Sequence, residues 1–187
     1  RYRLVPEEDT PVNLTNHAYF NLSGGRDADV LNHELRLMAD FYTPAAPDMI
    51  PTGEIRKVEG TSLDFTGRRK LSEVLSETFG LDHNYVLRGS GYRKAAELRH
   101  VESGRRMEVY TDQPGIQIYT GNHFDGSLAC KGGVHYQRYA GICFETQGFP
   151  DAVNRSHFPG CIVRKNTVFT SRTTYRFHME PQLVAGK

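Results

Sequence analysis

Four residues stand out because their types could move a proton on a hydroxylated ligand: His17, Asp82, Gln117 and Glu145. His17 lies in Pro11-Val12-Asn13-Leu14-Thr15-Asn16-His17-Ala18-Tyr19-Phe20-Asn21-Leu22. Read with period two, Leu14, Asn16, Ala18, Phe20 and Leu22 point one way, and Asn13, Thr15, His17, Tyr19 and Asn21 point the other. The first set can face a core. The second places an imidazole among amide and hydroxyl groups, a row that folding does not require. Glu145 closes the apolar run Tyr139-Ala140-Gly141-Ile142-Cys143-Phe144. A carboxylate at the end of a buried strand costs free energy unless it is paired or solvated. Gln147, Asp151 and Asn154 follow in a Gly/Pro-containing loop, the usual place for ligand contacts.

Each residue also has a plainer reading. Alone, His17 reads as a satisfied core histidine, Glu145 as a solvated strand-end carboxylate, and Asp82 as a turn residue after Gly80. His83 competes with Asp82, since neighbours on a strand face opposite ways. Other chemistries lack their motifs. There is no His-Glu-x-x-His, no Cys-x-x-Cys, no Gly-x-Ser-x-Gly, and no glycine-rich loop between a strand and a helix. No metal and no cofactor is therefore expected.

The elements that must position these groups are short strands. Ten Tyr, ten Phe and 18 Gly in 187 residues favour β-structure with frequent turns. Arg1–Leu4 reads as a strand entered part-way, followed by an acidic turn over Pro6–Pro11 and a hairpin into Val12–Leu22. Further strands are expected at His33–Ala39, Gly53–Val58, Gly80–Leu87, Ala95–Val101, Arg106–Thr111, Ile116–Thr120, Tyr139–Thr146, Val168–Phe169 and Thr173–Met179. Ile116 and Ile118 share one face of their strand, Gln117 and Tyr119 the other. Tyr42–Gly53, Gly121–Gly133 and Gln147–Pro159 read as loops. One helix is expected over Arg69–Phe79, with Leu71, Val74, Leu75 and Phe79 recurring at three and four. No linker or repeat divides residues 1–187, so a single all-β sandwich domain is expected.

The net charge is +1 with scattered basic residues, which argues against a nucleic-acid surface. No run of ~18 apolar residues occurs, so no membrane span is expected. No signal peptide opens the chain, which begins at Arg1. Cys130, Cys143 and Cys161 do not form a disulfide framework and fit reduced thiols in a cytoplasmic protein. Cys143 reads as a small core residue.

Five co-linear blocks resemble the galactose mutarotase (aldose 1-epimerase) family. They are Asn13–Leu22; Ile50-Pro51-Thr52-Gly53-Glu54 with Leu63-Asp64-Phe65; Leu81-Asp82-His83-Asn84-Tyr85-Val86-Leu87; Thr111–Asn122; and Phe144–Asn154. The resemblance implies an antiparallel β-sandwich of the galactose mutarotase type with one short helix near 69–79. It implies His17 as general acid, Glu145 as general base, and Asp82 and Gln117 as holders of sugar hydroxyls. It implies free galactose or glucose as substrate. Members of the family are roughly twice this long. The chain resembles their C-terminal half, without the N-terminal half that supplies an arginine, another histidine and several strands. Association with an N-terminal fragment or with itself is expected on that ground. Two rivals follow: glycoside hydrolysis by Asp82 and Glu145, and a sugar-binding sandwich without catalysis.

Overall fold

The computed structural model describes residues 1–76 and 78–180. The chain forms β1 (Tyr2–Leu4), β2 (Thr10–Pro11), β3 (Tyr19–Phe20), β4 (His33–Leu37), β5 (Ala39–Thr43), β6 (Arg56–Lys57), β7 (Arg69–Lys70), helix α1 (Leu71–Leu75), β8 (Asp82–Leu87), β9 (Arg93–His100), β10 (Arg105–Thr111), β11 (Gly115–Tyr119), β12 (Asp125–Ala129), β13 (His135–Gln137), β14 (Ile142–Gln147), β15 (Ile162–Val163), β16 (Phe169–Ser171) and β17 (Thr173–Met179). All pairings are antiparallel.

Two sheets form the sandwich. One has the order β17-β10-β9-β4-β7, the other β3-β14-β11-β8-β5-β6. Strand alternation decides what lies between them. Leu35 and Leu37, Ala96 and Leu98, and Met107 and Val109 come from the first sheet; Tyr85, Ile116, Ile118, Ile142 and Phe144 come from the second. Each large apolar side chain buried there contributes about 1.5–3 kcal/mol. The outer face of the first sheet is a charged ladder, in which Glu97 accepts from Lys94 at 2.7 Å and from Arg106 at 3.3 Å and also pairs with Arg68. The outer face of the second sheet carries His17, Asp82, Gln117 and Glu145 along one cleft. Among the described residues, no helix is long and apolar enough to cross a membrane.

Several local expectations change. Val12–Leu22 is not a strand: only Tyr19–Phe20 pairs, with Ile142 and Cys143. Leu14, Asn16 and Ala18 are exposed rather than turned to a core. Asparagine side chains replace the ladder here. Asn13 accepts from the Gly148 amide at 2.9 Å and donates to its carbonyl at 3.2 Å, and Asn16 accepts from the Ala18 amide at 3.1 Å. Such side-chain bonds compete with regular backbone pairing. The opening hairpin is likewise absent among the described residues. β1 pairs with β16 and β2 with β15, while Asp9 and Glu8 are drawn to Arg164 and Lys165.

The helix is shorter than expected. Arg69 and Lys70 pair with β4 instead, and Phe79 lies exposed beneath the Arg138 guanidinium, 3.6 Å from its ring centre. Glu77, within the expected helix, and residues 181–187 of the expected domain lie outside the described residues. The loop expected over Gly121–Gly133 contains β12, which pairs with β13 as a further hairpin.

Candidate active site

Three neighbouring strands build the floor of the cleft. Gln117 of β11 stands opposite Glu145 of β14 on one side and Asn84 of β8 on the other. Asn84 in turn stands opposite Thr43 of β5. One step along the strands, Tyr119 lies between Asp82 and Cys143, and Cys143 lies opposite Tyr19 of β3. These positions differ by two within each strand, so both rows face the same way. The intervening residues Ile116, Ile118 and Phe144 enter the core. The alternation that builds the core therefore also exposes a polar floor.

Hydrogen bonds fix that floor. The Gln117 amide donates from Nε2 to Oδ1 of Asp82 at 2.7 Å, and Asn84 donates from Nδ2 to Oγ1 of Thr43 at 3.1 Å. Gly115 is needed at the start of β11. A Cβ there would stand 2.7 Å from Oδ1 of Asn84 and 3.1 Å from the Phe149 ring.

His17 approaches from the irregular stretch before β3. Its Nε2 lies 3.3 Å from Oε1 of Glu145, and its Nδ1 lies 3.4 Å from Sγ of Cys143. The Tyr19 and Tyr119 rings pack beside the imidazole, with centroids 5.1 and 6.0 Å away. The His17 side chain is 53% exposed, the Glu145 side chain 10%. Burial pushes the Glu145 carboxyl above the usual carboxylate range; the nearby His17 opposes that rise, and the Asp82 charge adds to it. Burial likewise pushes Tyr19 up to about 12.

The rim comes from loops and the end of β14. Met49, Pro51, His123, Gln147 and Pro150 complete a cavity of about 430 Å³. Asp151 takes a left-handed backbone with φ 61° and accepts from Asn154 at 2.6 Å and Arg155 at 3.0 Å. Arg155 also donates to the Pro51 carbonyl at 2.8 Å, tying two rim loops together.

His17, Asp82, Gln117 and Glu145 thus share one cleft, and the shared lining favours Asp82 over its neighbour. His83 faces inward, with its ring 6.0 Å from that of Tyr42, and burial lowers its pKa. Sequence reasoning placed Tyr19 in the polar row with His17 but did not single out Asn84 or Thr43 for the site. Asn84 was within reach, since it lies two residues from Asp82 on the same face. Cys143 is fully buried as expected, but on the cleft side of its strand.

One donor atom each from His17, Cys143 and Glu145 lies within 4.8 Å of the others, close enough to hold a cation. A cysteine ligates a metal as its thiolate. Burial and the Glu145 charge push the Cys143 thiol far above its ordinary value.

The sequence matches the family model described as aldose 1-epimerase over residues 1–176. It is 44% identical over 179 residues to the galactose mutarotase of Bos taurus, covering 94% of this chain and 52% of that protein. It is 35% identical over 189 residues to the aldose 1-epimerase of Escherichia coli K12, covering 96% of this chain and 54% of that protein. The fold is similar to that of a GalM/aldose epimerase homologue from C. elegans, with TM-score 0.85, 27% identity, and coverage of 96% of this chain and 55% of that one. It is also similar to a galactose 1-epimerase from Lactobacillus acidophilus, with TM-score 0.79, 28% identity, and coverage of 96% and 52%. The chain spans about half the length of the curated relatives it matches. A match over residues 1–176, relatives of this identity and a sandwich of this topology agree: the chain belongs to the aldose 1-epimerase family.

Proposed function

We propose that this chain forms the acid–base part of a mutarotase that interconverts the α and β anomers of free galactose or glucose. The observation that carries the reading is the 3.3 Å approach of His17 Nε2 to Glu145 Oε1 in a cleft that also holds the Asp82–Gln117 pair. In this reading the Glu145 carboxylate takes the proton of the anomeric hydroxyl. The His17 imidazolium gives its Nε2 proton to the ring oxygen as the C1–O5 bond breaks. The product is the open-chain aldehyde. Rotation about C1–C2 presents the other carbonyl face, and both protons return on closure. A carboxylate whose pKa is raised by burial is a better base near neutral pH than a surface one, and each such group is worth about 10²–10⁴ in rate. Asp82 and Gln117 hold sugar hydroxyls.

Galactose and glucose carry no charge, which suits a floor made of amides, hydroxyls and two acidic groups. A reducing compartment such as the cytoplasm suits the buried Cys143. The whole of residues 1–187 is proposed to act as one domain.

A second reading rests on the sandwich margin. β3 and β17 are the outermost strands at one side of the two sheets. Phe177 and Met179 of β17 are 61% and 68% exposed, and Phe177 lies 6.1 Å from the Phe20 ring. Open edges and exposed aromatics support association with further strands, from an N-terminal fragment or a second copy. Alone, the chain would then bind the sugar without turning it over.

Polarimetry of fresh α-galactose tests the first reading. Faster mutarotation that Glu145→Gln abolishes supports it, and an uncatalysed rate contradicts it for the isolated chain. Saturable galactose binding by calorimetry at that uncatalysed rate supports the second reading. Release of phenol from an aryl galactoside would favour hydrolysis over both.

A further inference from the structure

The direction of the His17 ring is not set by its backbone. Residues 12–18 form no strand, and half of the side chain is exposed. The Tyr19 and Tyr119 rings, themselves 6.2 Å apart, pack against the imidazole. Ring packing alone does not distinguish the two edges of the imidazole, so a ring flip would keep both ring contacts and take Nε2 away from Glu145. Cys143 does make that distinction. It is fully buried in β14, between Tyr119 of β11 and Tyr19 of β3, which makes its sulfur a fixed point. That sulfur stands 3.4 Å from Nδ1, while the nearest Glu145 oxygen stands 3.3 Å from Nε2, so each neighbour meets a different ring nitrogen.

We propose that Cys143 is a positioning residue for His17, an uncharged hydrogen-bond partner that keeps Nε2 turned to Glu145 in both protonation states of the ring. The proposal rests on the role of His17 given above. A thiol is a weak donor and a weak acceptor. In the imidazolium, Nδ1–H points at the sulfur. After Nε2 has given up its proton, Nδ1–H still does. In the other neutral form the thiol proton turns to the Nδ1 lone pair. A carboxylate in this place would hold the imidazolium and make it a poorer acid. The sulfur imposes orientation without that bias. Burial and the Glu145 charge keep Cys143 in the thiol form that this role requires.

The test compares Cys143→Ala, Cys143→Ser and wild-type chain. Nitrogen NMR of the His17 ring, assigned with His17→Asn, should show a shifted Nδ1 resonance and an altered tautomer ratio in Cys143→Ala. Cys143→Ser should restore the wild-type pattern. In polarimetry Cys143→Ala should lower kcat about tenfold or more with KM within about twofold, and Cys143→Ser should recover most of the loss. Cys143→Val, which keeps the volume but offers neither donor nor acceptor, replaces alanine if the smaller side chain unfolds the chain. Unchanged ring resonances in the alanine or valine variant overturn the proposal, as does a kcat within about twofold of wild type. If the resonances shift in a chain that shows no mutarotation, the positioning role stands and the catalytic reading falls.

Discussion

The imidazole of His17 and the carboxylate of Glu145 meet at 3.3 Å from opposite environments, one half exposed and the other nearly buried. Burial raises the Glu145 pKa, so its charged form is the costly one in the folded protein. A stabilising fold would not leave a carboxylate there. Glu145→Gln and His17→Asn are each expected to lower the mutarotation rate of the assembled enzyme by about 10²–10⁴, read by polarimetry. Glu145→Gln should at the same time raise Tm at pH 7, by on the order of 1 kcal/mol in stability, because it removes the buried charge. Wild-type rates in either variant would refute the assignment.

Asp82 and Gln117 act as a unit, since the Gln117 amide is spent on the Asp82 carboxylate. Asp82→Asn should raise KM for galactose roughly tenfold or more, the equivalent of one charged hydrogen bond of about 1.5–3 kcal/mol, with a smaller change in kcat. Gln117→Ala should raise KM less. The double variant should fall short of the two effects combined, because the residues share an interaction. Additive effects in that cycle would show that the two residues act separately.

Acid should unfold the chain earlier than its carboxylates alone would. His33 is fully buried, accepts the Leu22 amide at 2.8 Å, and lies 4.7 Å from the His100 ring. Burial, with help from His100, lowers its pKa to about 4. An unfolded imidazole takes up its proton near ~6.5. Between those values the unfolded chain binds a proton that the folded chain refuses, so stability falls as pH falls through this window, by about 3 kcal/mol in full. The lowered carboxylates, such as Asp40 and Asp64, lose their contribution only below their ordinary values near 3.8. Glu145, with its raised pKa, works in the opposite sense. Urea unfolding at pH 7 and pH 5 should therefore show a smaller loss for His33→Gln, whose amide oxygen can still accept the Leu22 N–H. Equal losses would refute the assignment to His33.

On the far sheet, Glu97 is buried among Lys94, Arg68 and Arg106. Burial alone would raise its pKa, but the Lys94 and Arg68 bonds outweigh that and hold it at about 2. Glu97→Gln leaves the cations short of a counter-charge and should cost about 2 kcal/mol in urea unfolding at pH 7. That difference should shrink as pH falls from about 4.5 towards 2, where the native carboxylate itself protonates. Galactose KM should not change, since Glu97 lies on the face away from the cleft.

Much of the site was legible in order and type. The alternation of Ile116, Gln117, Ile118 and Tyr119, and of Ile142, Cys143, Phe144 and Glu145, assigns each side chain to a face, because that property is local to a strand. It turned Gln117 away from Ile116 and Ile118, and the five blocks carried the family. The same rule misread Asn13–Ala18. There, asparagine side chains take up backbone groups that a strand would have paired, and no period records that choice. Register was beyond local reading as well. That Gln117 stands opposite Glu145, that Asp82 lies within reach of Gln117, and that Cys143 touches His17 all depend on hydrogen bonds between distant segments. Residue types and alternation are written in each segment by itself, whereas the meeting of imidazole, carboxylate and thiol exists only once three strands have paired and a fourth segment has folded over their edge.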